Sequence, residues 1–223
     1  MKKWLRFLSV LLILIGLFIL IWPFYPTIQY YLFPPSLSAK AEEIIHLPPV
    51  ELPSSPVTPT YVPATPTYTP ATPTYPSSAP MTPSTSQPLP TEPLIIIPKI
   101  GLEARIVPNL EPESLMEGVG HDPSTEQPGA PGVCILYGHR FLNYTDPSSG
   151  YFYLLDKLSA GDLVVVYWEG KSYHYTVQES MTINPDDFSI YNKRETPTLV
   201  LVTCTPLWSD RFRLVVIAEP SPG

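Results

Sequence analysis

Proline decides where this chain can build a core. Fifteen of its 31 prolines fall between Leu47 and Pro93. Each fixes φ and removes a backbone donor, so neither a helix interior nor a central strand tolerates that density. Within the tract TPTY recurs with a period of seven, at Thr58–Tyr61, Thr65–Tyr68 and Thr72–Tyr75. The heptad has no aliphatic seam, so it predicts extended polyproline II rather than a coiled coil, with a reach on the order of 100 Å. Its Thr/Ser/Pro richness is also compatible with O-glycosylation. What remains for a packed core is the stretch from Leu94 onward, about 130 residues. The organisation expected is a cytoplasmic tip and anchor over 1–25, a Pro/Thr-rich extracellular linker over 26–93 and a folded domain over 94–223.

The N-terminus is basic at Lys2, Lys3 and Arg6, then uncharged from Phe7 to Tyr25. Trp4 stands at one end of the apolar run, with Trp22 and Tyr25 at the other, the positions of interfacial aromatics. The run is longer than a signal-peptide core. The small-x-small triplet Ala39-Lys40-Ala41 lies far beyond it. These features favour an uncleaved transmembrane helix, with the basic end cytoplasmic and the rest of the chain outside.

The domain from Leu94 carries 9 Lys+Arg against 16 Asp+Glu, which accounts for the whole net charge of −7. An acidic domain without a basic run argues against nucleic-acid binding. Short β-rich runs recur between turn signals: LIIIPKI (Leu94–Ile100), LEARIV (Leu102–Val107), GVCILYG (Gly132–Gly138), DLVVVYW (Asp162–Trp168), KSYHYTVQESMTI (Lys171–Ile183), TLVLVTC (Thr198–Cys204) and RLVVIAE (Arg213–Glu219). Glu169-Gly170 reads as a hairpin connection. Short helical turns fit Glu113–Glu117 and Tyr151–Leu158. So many strands with so little helix predict a mainly β, closed or nearly closed barrel.

Two cysteines are present. Cys134 lies inside a strand, and Cys204 ends the run LVLVTC. Two thiols in an exported domain are compatible with one disulfide, which would silence both; the spacing decides nothing. A nucleophilic thiol needs a proton-transfer partner and an oxyanion donor. His139 follows Gly138 at a strand-to-loop junction, the rim position where sites form. His46 precedes the linker, and His174 falls on the polar face of an alternating strand. Arg211 and Arg213 follow Cys204 within one loop and share a strand face, so either can meet it across a strand pair. Arginine keeps its charge, which makes it a donor rather than a base. No C-x-x-C, H-x-x-x-H, G-x-G-x-x-G or Walker pattern exists, so no metal or cofactor is expected.

In this order, GHR (Gly138–Arg140), TCTP (Thr203–Pro206) and RLVV (Arg213–Val216) resemble the signatures of sortases, and IPKIGLEARIV (Ile97–Val107) resembles the opening strands of that fold. The likeness covers about Leu94 to Glu219. It is greatest to the single-anchor, class D/E-like members, whose Cys is followed by a small polar or His residue and Pro. No second C-terminal transmembrane segment, usual in pilin-polymerising members, is seen. Val200 stands where the usual T-L-x-T-C pattern has Thr, and PSTEQPG replaces the commoner run after His121.

The resemblance implies a closed eight-stranded sortase-like β-barrel with short helices, preceded by the transmembrane helix and linker. It implies a cysteine transpeptidase without cofactor. Cys204 would attack the Thr carbonyl of an LPXTG-like sorting signal to give a thioacyl enzyme. His139 would protonate the departing amine, and Arg213, rather than Arg211, would serve the oxyanion. Thr203 and His121 would line the substrate site, and Cys134 would be a free core thiol. Implied partners are surface proteins bearing a C-terminal sorting signal, a peptidoglycan precursor or other amine, and the cell membrane. A thiol endopeptidase or acyl hydrolase using water, and a non-catalytic surface-anchored binding barrel, are the alternatives.

Overall fold

A computed structural model describes residues 2–22, 25–32, 36–50, 92–142 and 149–221. The proline tract with its TPTY repeats lies outside the described residues. Among the described residues four α-helices, α1 (Lys2–Ile21), α2 (Tyr25–Leu32), α3 (Ala39–Ile45) and α4 (Pro112–Glu117), accompany eight strands. The strands are β1 (Leu94–Ile97), β2 (Leu102–Val107), β3 (Val119–His121), β4 (Gly132–Tyr137), β5 (Leu163–Trp168), β6 (Lys171–Ile183), β7 (Pro197–Thr205) and β8 (Phe212–Pro220). They close in the order β1-β2-β3-β4-β7-β8-β6-β5. β2/β3 and β4/β7 pair in parallel and the other six junctions are antiparallel.

The expected strands form, with local amendments. Pro98 stops the first one, and Pro98–Ile100 becomes a 3-10 turn closed by Gly101 in the left-handed region. The β5–β6 connection is as read: Glu169 and Gly170 have φ of 49° and 77°, the two positive values of a type I′ hairpin turn. β3 was not foreseen, because three residues carry no period. Closure is tertiary: β3 joins β2 to β4 and hides all three of its residues.

Alternation sorts each strand into two faces. Leu136, Leu199, Leu201, Val216 and the fully buried Tyr175 fill the barrel interior, with Phe152 from the β4–β5 connection. Val133, Ile135, Val200, Val202, Val215 and Ile217 form a second apolar cluster on the outer face of β4, β7 and β8. The β6–β7 loop covers it with Ile190. On the opposite wall α3 lays Ala41 and Ile44 against Leu94, Ile96, Val165 and Tyr167.

The N-terminal region differs from the expected linker. The stretch read as linker from residue 26 contains α2 and α3. α3 is capped by Ser38, whose hydroxyl accepts from the Ala41 N–H at 3.1 Å. The chain after it is tied to the barrel by Val50 N–H to the Ser172 carbonyl at 2.9 Å. Its apolar i, i+3 pair was masked by proline counting, which is silent about what a neighbouring sheet offers. The apolar run read as a membrane anchor is helical over α1, Lys2–Ile21. Among the described residues no helix is long and apolar enough to cross a membrane.

Candidate active site

Three neighbouring strands, β4, β7 and β8, bring the proposed chemistry together. In the β7/β8 ladder Cys204 stands directly opposite Arg213. In the parallel β4/β7 ladder Tyr137 partners Val202, and Gly138 N–H continues the pairing to the Val202 carbonyl at 3.1 Å. β4 ends at Tyr137, and His139 follows two residues later, as Cys204 follows two residues after Val202. Paired residues share a face, and each of the three is an even step from the outer cluster: His139 from Ile135 and Tyr137, Cys204 from Val200 and Val202, Arg213 from Val215 and Ile217. His139, Cys204 and Arg213 therefore form one row on the outer wall, at the end of a dry apolar floor.

The residues next to the row in sequence turn the other way and fix it. Thr203 is buried, and its Oγ1–H donates to the Gly138 carbonyl at 2.7 Å. This bond stitches the residue before His139 to the residue before Cys204. Thr203, expected to line the substrate site, thus faces the barrel interior. Gly138 is required where it is: a Cβ there would stand 2.6 Å from the Phe152 ring. The Phe152 N–H in turn bonds the His139 carbonyl at 3.0 Å.

The two thiols are both free and lie in opposite environments. Cys134 pairs with Leu199 and points inward. It sits five residues short of Cys204's level, roughly 16 Å along the strand direction and on the other face, well outside disulfide reach. Burial pushes the Cys134 thiol up, so it stays protonated. Cys204 is half-buried, one residue before the end of β7.

His139 is half-buried, and loss of hydration holds its imidazole below the ordinary value of 6.5. His174 is held low for the same reason, with its ring nitrogen 3.0 Å from the Ser172 hydroxyl. For both residues the unfolded chain takes up its proton first as pH falls. The stability present above 6.5 is therefore lost as pH drops through that value towards the folded pKa. Tm should decline between pH 7 and 5, and a His139→Gln/His174→Gln double variant should show a shallower decline in thermal melts; an unchanged slope would refute the assignment.

Arg213 sends Nη1 to the carbonyls of Asp210 at 2.7 Å and Phe212 at 3.2 Å. These bonds hold the head at the β7–β8 loop and use few of its five donors. Arg211 instead stacks over the Phe212 ring at 5.2 Å. His121, expected near the site, is buried on the interior side. Its Nε2–H donates to the Glu126 carbonyl at 2.9 Å, and its ring packs 5.5 Å from Trp168.

Sequence reasoning missed the aromatic surroundings. Phe141, just past His139, packs its ring 4.9 Å from Trp208 of the β7–β8 loop, which bridges the loops after the two candidate catalytic residues. Trp208 holds a φ of 68°, a left-handed conformation rare for a bulky residue. A Trp between Cys204 and Arg213 was the available signal. Tyr137, Tyr191 and Asp122 form a hydroxyl–carboxylate chain beside the row, and no sequence spacing announces it.

Comparison with known proteins agrees with this geometry. The family model for the sortase domain matches residues 95–221. Among solved structures, sortase C1 of GBS pilus island 1 is 29% identical with a TM-score of 0.53, over 59% of this chain and 64% of that one. Sortase C-1 from Actinomyces oris is 30% identical with a TM-score of 0.54, over 59% and 74%. Sortase C1 from Streptococcus agalactiae is 32% identical with a TM-score of 0.54, over 58% and 67%. The chain thus spans somewhat under two thirds of the first of these. These neighbours are sortase C structures, and the family is what they share with this chain. No curated protein matches. With a family model spanning the whole barrel and the row of His139, Cys204 and Arg213 on its outer wall, the chain belongs to the sortase family.

Proposed function

We propose that this chain is a cysteine transpeptidase that cleaves an LPXTG-like sorting signal and passes the acyl group to an amine of the cell wall or of another protein. The observation that carries the reading is the register: Cys204 stands opposite Arg213, and His139 lies two residues beyond the Tyr137–Val202 pair of the neighbouring ladder. The Cys204 thiolate adds to the Thr carbonyl carbon, and Arg213 donates to the oxyanion that forms. The C–N bond breaks as imidazolium His139 gives its proton to the departing amine, leaving a thioester on Cys204. An incoming amine then attacks the thioester, neutral His139 takes its proton, and the thiolate leaves. A histidine held below its ordinary pKa suits both halves, being a willing acid when charged and largely neutral near pH 7.

The same reading places the barrel outside the cell membrane, with the basic N-terminus cytoplasmic. In support, α1 leaves Phe7, Leu12, Phe18 and Leu20 largely exposed, an apolar surface suited to lipid. The proline tract then serves as a spacer towards the wall. Partners are surface proteins with a C-terminal sorting signal and a peptidoglycan precursor or other amine.

The test is to incubate the full chain in detergent with LPXTG-like and LAXTG-like peptides plus oligoglycine. Acyl transfer to the amine is expected. Cleavage without transfer at high amine would mark a hydrolase, and no cleavage of any sorting peptide would leave a binding barrel.

A further inference from the structure

The β6–β7 loop, residues 184–196, is held to the active-site wall by two neighbouring side chains of different character. Ile190 is buried in the outer apolar cluster that floors the catalytic row. Tyr191 reaches across with its hydroxyl, which donates to Asp122 Oδ2 at 2.8 Å and lies 2.8 Å from the Tyr137 hydroxyl. Asp122 follows β3 and is only 6% exposed. Its other oxygen accepts from Ser124 N–H at 2.9 Å and Ser124 Oγ–H at 2.6 Å. Burial works against its charge, but these bonds outweigh it and hold the carboxyl below the usual carboxylate range.

Proton order follows from this. An ionised carboxylate only accepts, so the single Tyr191 hydrogen is committed to Asp122. Tyr137 must then be the donor between the two hydroxyls. The chain runs Tyr137 to Tyr191 to Asp122 and joins three separate elements: β4, the β6–β7 loop and the residue after β3. Tyr137 sits two residues before His139 on the same outer face, close enough to Arg213 to feel its charge.

We propose that Tyr137, Tyr191 and Asp122 form a latch that fixes the β6–β7 loop beside the catalytic row and so positions the bound peptide; this last consequence rests on the transpeptidase reading. These are positioning residues. None attacks or protonates the substrate, and the latch sets how much loop ordering the peptide must supply on binding.

Tyr191→Phe in the full chain keeps the ring and the Ile190 anchor while removing both links. Amides of residues 184–196 should exchange about tenfold faster, with β4, β7 and β8 unchanged. KM for the sorting peptide should rise about five- to tenfold, with kcat and the Cys204 alkylation rate within about twofold. Asp122→Ala should match it. Asp122→Asn, which retains an acceptor oxygen, should rescue part of the loss. Unchanged exchange over 184–196 in Tyr191→Phe, or a fall in kcat at unchanged KM, overturns the latch. A wild-type chain that transfers nothing overturns the transpeptidase reading instead, and the exchange result then decides the latch.

Discussion

A Cys204→Ala chain should lose acyl transfer by about ten-thousand-fold or more, because no other group can take over as nucleophile. Cys134 cannot substitute. It faces the barrel interior, lies far along the wall from Cys204, and has its thiol held protonated by burial. The fold should survive, since Cys204 is half-buried and the floor beneath it is built by Val200 and Val202. Tm should stay within about 2 °C of the parent. Thiol counting gives an independent reading: one cysteine should alkylate in the native wild-type chain, none in Cys204→Ala, and a second in the wild type on unfolding. Transfer that persists in Cys204→Ala would remove the thiol from the mechanism.

Arg213→Ala should lower kcat/KM by about a hundred- to a thousand-fold, the usual loss when a preorganised oxyanion donor is removed. Arg213 is the direct strand partner of Cys204, and its backbone-bound head is held at the loop before the substrate arrives. Charge alone does not explain the role. Arg213→Lys keeps the cation but loses the planar fork, so it should recover only part of the rate. Arg211→Ala is the internal comparison. That side chain stacks on Phe212, and its removal should leave activity within about threefold. Equal losses at 211 and 213, measured by peptide-transfer kinetics, would mean that general electrostatics rather than a placed donor supports the reaction.

Much of the barrel could be read from alternation. β2 and β6 have the bounds expected, and β5, β7 and β8 differ by a residue at one or both ends. These runs are dense in Val, Ile, Leu and Tyr and are bounded by Gly, Pro or charged turns, so local propensity and tertiary burial agree. β3 and α3 were not legible. Three residues have no period, and a seven-residue helix has too few turns to declare a face; each exists because a sheet wall was waiting for it.

The site divides along the same line. Residue types and chain order, a His after Gly138, a Cys at a strand end and an Arg nine residues later, were visible as chemistry and, through the resemblance, as a set. Their proximity depends on register. β4 and β7 are far apart in sequence and meet only because the barrel closes, and the register that puts His139 two residues beyond the Tyr137–Val202 pair belongs to that closure. Side-chain direction was equally a tertiary matter. Thr203 and His121 turned inward because their strand positions share parity with Leu201 and Leu136, an assignment that requires knowing which face is the interior.

By itself, then, the sequence determined that the barrel lies after the proline tract, that it is mainly β, and which thiol lies near a strand end. Those properties are local, set by dihedral restriction and period-two burial. The tertiary structure alone decided which wall carries Cys204 and Arg213, that Thr203 bonds Gly138 behind them, and that Tyr191 joins Asp122 and Tyr137 from distant segments. Hydrogen bonds and strand pairings between remote residues leave no periodic trace in the chain, and they come into being only when the barrel shuts.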